Sequence, residues 1–202
     1  MKTIDNFNFA GKKALIRVDF NVPLDENFKV TDNTRIEAAK PTIEKILKDG
    51  GTAVLMSHLG RPKGERNDKY SLRHIVSEVE KVLGKKVIFV DDCVGEVAEK
   101  AVAAAPAGSV VLLENLRFHN EEEKGDEAFS KQLAKLGDIY VNDAFGTAHR
   151  AHASTTIVAK FFPNHKCFGY LLAKEIESID KVMKNGEKPV TAILSGSKVS
   201  SK

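Results

Sequence analysis

Ala14-Leu15-Ile16-Arg17-Val18-Asp19-Phe20-Asn21-Val22-Pro23 is the stretch on which the reading of this chain turns. Ala14 to Val18 is a short, mostly apolar run, the pattern of a strand buried on both faces of a parallel sheet. It empties into Asp19 and Asn21 and is closed by Pro23, which cannot continue a ladder. In an open α/β sheet, ligands collect beyond the carboxyl ends of the strands. The polar residues at this exit, and at others like it, are therefore the first candidates for function.

Outward from that stretch the same grammar repeats. Thr52 to Met56, Val87 to Val90, Val110 to Leu113 and Asp138 to Val141 read as further short strands. Helical stripes fall between them: Ile36, Ala39, Ile43, Ile46 and Leu47, then Leu72, Ile75, Val76, Val79 and Leu83, then Val94, Val97, Ala98, Ala101 and Val102. Ser71 and Asp126 supply N-caps, the latter for a helix to Leu136, and Gly84 and Gly137 supply stops. Pro41 is expected to break the first helix, leaving a short turn with Arg35 ahead of a helix to Lys48. Glu121, Glu122 and Glu123 read as a solvated loop. The alternation predicts a doubly wound, Rossmann-like three-layer α/β sandwich with a mainly parallel sheet. A longer amphipathic helix from Gly169 to Lys184 carries Leu172, Ile176, Ile179 and Met183 on one face. One more strand, Val190 to Leu194, reads as the start of a second domain.

Composition narrows the function classes. A chain of 202 residues with 42% hydrophobic and 29% charged residues is of the soluble globular kind. Its net charge of +3 is too small for a nucleic-acid binder. Cys93 and Cys167 lie far apart without a CxxC pattern, so neither a disulfide framework nor a zinc site is expected, and a reducing, cytoplasmic setting fits. There is no signal peptide and no apolar run long enough to span a membrane.

The strand exits carry the chemistry. Asp19 and Asn21 follow the first, His58 and Arg61 the second, Arg117 the fourth, and His149 and Arg150 the fifth. The third exits into Asp91-Asp92, which marks a sheet edge or a helix cap. Arg35 stands near a helix start, where the macrodipole disfavours a cation unless an anion is shared. Grouped arginines suit a small ligand with phosphate and carboxylate groups, because the planar fork binds such anions bidentately. Each residue alone has a plainer reading: turn former, surface dressing or solvated charge. Arg17 reads as a structural charge paired with a carboxylate, and His149 with His152 lacks a convincing third metal ligand. Placement together at strand ends is what lifts the functional reading. Neither GxxxxGK[ST] nor GxGxxG occurs. Ser195-Gly196-Ser197-Lys198 forms a strand-to-helix turn in this reading, and Lys198 and Lys202 would stack on one helical turn, a frayed terminus being the plainer alternative.

The stretches Arg17–Pro23, Thr34-Arg35-Ile36, Ser57–Pro62, Leu112–Phe118, Asp143–His152 and Lys198–Lys202 together resemble the phosphoglycerate kinase family. The resemblance runs in order over essentially the whole chain and matches the family's amino-terminal half and hinge. It implies phosphoryl transfer between 1,3-bisphosphoglycerate and ADP, giving 3-phosphoglycerate and ATP, with the nucleotide as its magnesium complex. By resemblance, Asp19 and Asn21 hold the glycerate, and His58, Arg61, Arg117 and Arg150 form the basic patch around the acid's phosphate. Phe20, Leu59 and Gly60 complete the substrate side, Arg35 lies near the transferring group, and Lys198 and Lys202 follow the phosphoryl from the nucleotide side. No metal ligand is expected in this chain.

The implied division is an acid-binding domain over 1–168, an interdomain helix over 169–186, and over 187–202 the first strand and turn of a nucleotide-binding domain otherwise missing. Ser195 stands where the family commonly has Gly. The chain is expected to be a cytoplasmic monomer without nucleic-acid or membrane partners, binding the acid but essentially inactive alone. The alternative is a non-catalytic anion-binding or regulatory module on the same fold. Another doubly wound sugar-phosphate enzyme would need its own acid–base pair, and the expected substrate loops offer no carboxylate pair beyond Asp19 and Asp143.

Overall fold

Side chains alternate along a strand, so a strand buried on both faces must feed two cores. In the computed structural model, which describes residues 2–186 together with 191 and 193, the first strand β1 (Lys13–Arg17) does this. Ala14 and Ile16 enter one apolar cluster, and Leu15 enters the other. The further strands are β2 (Thr52–Met56), β3 (Val87–Val90), β4 (Val110–Leu113), β5 (Ile139–Asn142) and β6 (Lys166–Phe168). They form one six-stranded sheet in the order β3-β4-β2-β1-β5-β6, with every pairing parallel.

Helices cover both faces. On the side of Ala14 and Ile16 lie α1 (Thr34–Lys48) and α2 (Val76–Leu83), through Ile36, Ile43, Ile46 and Val79. On the side of Leu15 lie α3 (Gly95–Ala104) and α5 (Glu127–Ala134), through Ala98, Val102, Phe129 and Leu133. The short α4 (Asn120–Lys124) precedes α5, and α6 (Tyr170–Asn185) closes the described chain. This is the expected doubly wound three-layer sandwich. No helix among the described residues is long and apolar enough to cross a membrane. The chain order reverses across β1: it first winds toward β2, β4 and β3, then returns to β5 and β6. That switch point opens a crevice above the exit of β1.

Several expectations need correction. Pro41 does not break the first helix, because α1 is continuous from Thr34 to Lys48. Pro41 and Glu37, whose carbonyl loses its donor, both lie on the exposed face, where solvent can replace the bond. The stretch after Ser71 begins as a 3-10 turn, Leu72–Ile75, before α2; Ser71 caps it by accepting from Arg73 N–H. β6 has no counterpart in the sequence reading: it is three residues long and only Cys167 is buried. β3 is an edge strand, as Asp91-Asp92 implied. The expected strand Val190 to Leu194 lies outside the described residues, save for 191 and 193.

The glutamate run is α4 rather than a loop, and Glu122 is fully buried. Its carboxylate accepts from Ser154 N–H at 3.0 Å and from Ser154 Oγ at 2.5 Å. Arg17, 1% exposed, donates from Nε to the same Ser154 Oγ at 2.8 Å. Arg17 thus reaches its carboxylate through a hydroxyl. Removing one partner of a buried charge pair leaves the other uncompensated, at a cost of roughly 3–5 kcal/mol. Glu122→Ala is expected to lose stability of that order in urea unfolding, whereas Glu121→Ala on the exposed side should stay within about 0.5 kcal/mol of the parent.

Candidate functional site

Backbone and side-chain hydrogen bonds lace the exits of β1, β2 and β4 together. Phe20 N–H donates to Ser57 Oγ at 2.9 Å, and Leu116 N–H donates to the Ser57 carbonyl at 3.1 Å. Asn21 Oδ1 accepts from Gly60 N–H at 2.8 Å, and Arg117 Nη1 donates to the Gly60 carbonyl at 2.9 Å. Asn115 Nδ2 donates to the carbonyls of Leu59 and Tyr70 at 2.7 and 2.8 Å. Gly60 is the knot, and it must be glycine. Its φ is +62°, and a Cβ there would lie 2.4 Å from the Tyr70 ring.

Above this lacing lies a cavity of about 240 Å³, lined by Asp19, Asn21, Arg35, His58, Gly60, Arg61, Arg117, Gly146, Thr147 and Arg150. Most of the residues picked out at the strand exits therefore meet in one place. Phe20 is not among the lining residues: it is fully buried beneath the loop and acts through its N–H. Leu59 is also buried and borders the adjoining cavity of about 200 Å³ beside Asn21 and Tyr70. Lys198 and Lys202 lie outside the described residues. Gly146 and Thr147 belong to the cavity although neither was singled out. Both are uncharged, and their signal was only their position after β5, between Asp143 and Arg150.

The electrostatics are those of an anion site. Arg35, Arg61, Arg117 and Arg150 supply guanidinium groups, while Asp19 is the single carboxylate among the lining residues and is engaged with Arg35 Nη1 at 2.8 Å. Burial, reinforced by the charges of Arg17, Arg117, Arg35 and Arg150, pushes His58 down to about 2, so its ring is neutral. Arg17 Nη2 lies 3.1 Å from His58 Nδ1. A guanidinium only donates, which makes Nδ1 the acceptor and leaves the ring proton on Nε2. Burial also lowers Arg117, opposed by Glu123, whose Oε1 is 3.6 Å from Arg117 Nε. With Asn21 Oδ1 committed to Gly60, its amide nitrogen is the group left to meet a ligand. The donor set is cationic and nitrogen-rich. It fits a small polyanion carrying a hydroxyl and does not fit a hard metal ion, which wants several oxygen ligands.

Comparison with known proteins points the same way. A family model described as phosphoglycerate kinase matches residues 4–202. The phosphoglycerate kinase of Porphyromonas gingivalis is 52% identical over 99% of this chain and 53% of its own length. That of Borrelia duttonii is 53% identical over all of this chain and 51% of its own length, and the cytosolic one of Triticum aestivum is 50% identical over 99% and 49%. The solved structure of phosphoglycerate kinase from Coxiella burnetii superposes with a TM-score of 0.85 at 37% identity, covering 98% of this chain and 49% of that one. The one from Pyrococcus horikoshii gives 0.84 at 31% identity, covering 94% and 47%. The chain spans about half the length of the relatives it matches.

The depressed His58 has a measurable consequence. Its folded-state pKa of about 2 lies below an unfolded value of about 6.5, so the unfolded chain binds the extra proton in between. Stability contributed by His58 is present above about pH 6.5 and is lost as pH falls through that window. Urea unfolding from about pH 6 down to about pH 4 should show a slope near 1 kcal/mol per pH unit that His58→Asn removes. Equal slopes in parent and variant would refute the assignment.

Proposed function

Because the chain belongs to the phosphoglycerate kinase family, we propose that it carries the acid-substrate half of that enzyme's active site, binding 3-phosphoglycerate or 1,3-bisphosphoglycerate. The observation that carries this reading is the convergence of Arg35, Arg61, Arg117 and Arg150 with neutral His58, Asp19 and Asn21 around one small cavity at the switch point. A phosphoglycerate has a phosphate, a carboxylate and a hydroxyl. The arginine forks suit the two anionic ends, and the Asp19–Asn21 pair suits the hydroxyl between them.

In this reading no side chain of the described chain forms a bond to the moving phosphoryl. Positioning and charge neutralisation carry the step. His58 donates from Nε2 as a neutral group, so it orients an anion without adding charge. Arg35, at the start of α1 and half-exposed, can exchange its Asp19 partner for a ligand oxygen as the transferring group arrives. The magnesium complex of ADP or ATP is the second substrate and meets Lys198 and Lys202 from the other side. Residues 1–168 form the acid-binding domain, 169–186 the interdomain helix and 187–202 the beginning of the nucleotide side. The chain alone holds the acid and turns over negligibly, as a monomer.

Calorimetric titration of the 202-residue chain with 3-phosphoglycerate should show saturable binding that weakens steeply with salt. Arg117→Met should weaken it at least about tenfold, since it removes a charge-assisted contact of roughly 1.5–3 kcal/mol. A coupled assay of 1,3-bisphosphoglycerate formation from ATP should stay at background. Absent binding would sink the acid-site reading, and appreciable turnover would sink the inactivity of the chain alone.

A further inference from the structure

We propose that Asp92, Cys93 and His119 form a binding site for a thiophilic divalent cation of the zinc class, remote in chemistry and in residues from the arginine-lined cavity. The trio lies at the carboxyl ends of β3 and β4, neighbours at the edge of the sheet. Asp92 and Cys93 leave β3 just ahead of α3, and His119 joins the turn after β4 to α4. One ligand atom from each lies within 4.8 Å of the other two. A tetrahedral cation with sulfur at about 2.3 Å and nitrogen and oxygen at about 2.0–2.2 Å can be reached from that spacing by small side-chain rotations.

The pieces are already turned toward one another. Asp92 Oδ1 accepts from Cys93 N–H at 2.7 Å and lies 2.8 Å from His119 Nε2. The His119 ring rests against Phe129 with centroids 5.2 Å apart, which limits its plane. The thiol is fully buried, whereas the Asp92 and His119 side chains are 38% and 29% exposed. That arrangement offers an entry path from solvent past two ligands to the sulfur.

The donor set selects the ion. Magnesium and calcium want all-oxygen cages, while one thiolate, one imidazole and one carboxylate suit zinc, cadmium or cobalt. On binding, the Cys93 thiol proton leaves to solvent as the sulfur–metal bond forms. His119 Nε2 gives up its hydrogen bond to Asp92 and donates its lone pair, the ring keeping one proton on Nδ1 and losing any second one to solvent. Asp92 adds an oxygen, and water takes the fourth position. Spacing of 92, 93 and 119 along the chain has no CxxC signature, which is why the sequence reading expected no zinc site.

Titrating the 202-residue chain with cadmium, while following the ultraviolet thiolate-to-cadmium charge-transfer band, tests the site directly. The band should saturate near equimolar metal and be displaced by zinc. It should vanish in Cys93→Ser and persist in Cys167→Ser. His119→Gln, at a partly exposed position and checked as folded by circular dichroism, should weaken affinity at least about tenfold and keeps the question open to refutation if Cys93→Ser misfolds. No saturable band in the folded parent, a band surviving in folded Cys93→Ser, or unchanged affinity in His119→Gln would overturn the proposal.

Discussion

A single buried charge governs this molecule. The Arg17 guanidinium, at the end of the central strand and 1% exposed, sits where desolvation alone would cost several kcal/mol. Each of its nitrogens is answered: Nε by Ser154 Oγ, Nη1 by the Val18 carbonyl and Nη2 by His58 Nδ1. Ser154 in turn hands the charge on to buried Glu122. Elements from three regions, the exits of β1 and β2 and the segment joining β5 to β6, are therefore held in one arrangement by the need to keep that cation satisfied.

The same satisfaction shapes the cavity above. Because Arg17 donates to Nδ1, His58 presents an N–H outward and stays neutral among four further arginines that line the cavity with it. Were His58 protonated, it would add like charge to an already cationic wall. Gly60 transmits the lacing to Asn21 and Arg117 through its own amide and carbonyl. The polar wall is thus assembled before any ligand arrives, and preorganisation of this kind lowers the ordering cost of binding a small anion.

What could be read in the residues, and what could not, follows from the same physics. Short apolar runs flanked by glycine spell out β1 to β5, and polar strand exits spell out the cavity, because those features are local. β6 was illegible, since three residues with one buried side chain carry no periodicity. Glu122 was illegible for a different reason: burial of a carboxylate depends on Arg17 and Ser154, distant in sequence. Pro41 reads as a breaker until its exposed position on α1 is known. Gly146 and Thr147 carry no charge, so only the position of the loop places them in the cavity.

The loop after β5 also ties the cavity to α6. Asp143, buried, accepts at Oδ1 from Leu172 N–H at 3.2 Å in the first turn of that helix, where a carboxylate also meets the positive end of the macrodipole. Tyr170 N–H is held by Thr42 Oγ1 of α1 at 2.9 Å. Burial raises Asp143, and its Oδ2 has no hydrogen-bond partner among the described residues, so the tie is kept at an energetic cost. Beyond the first two turns, Ile179, Val182 and Met183 are exposed. The helix is accordingly fixed at the end that Asp143 ties to the loop carrying Gly146, Thr147 and Arg150, and exposed at the other. Through the Asp143–Leu172 bond, the position of that loop and the position of the start of α6 are set together.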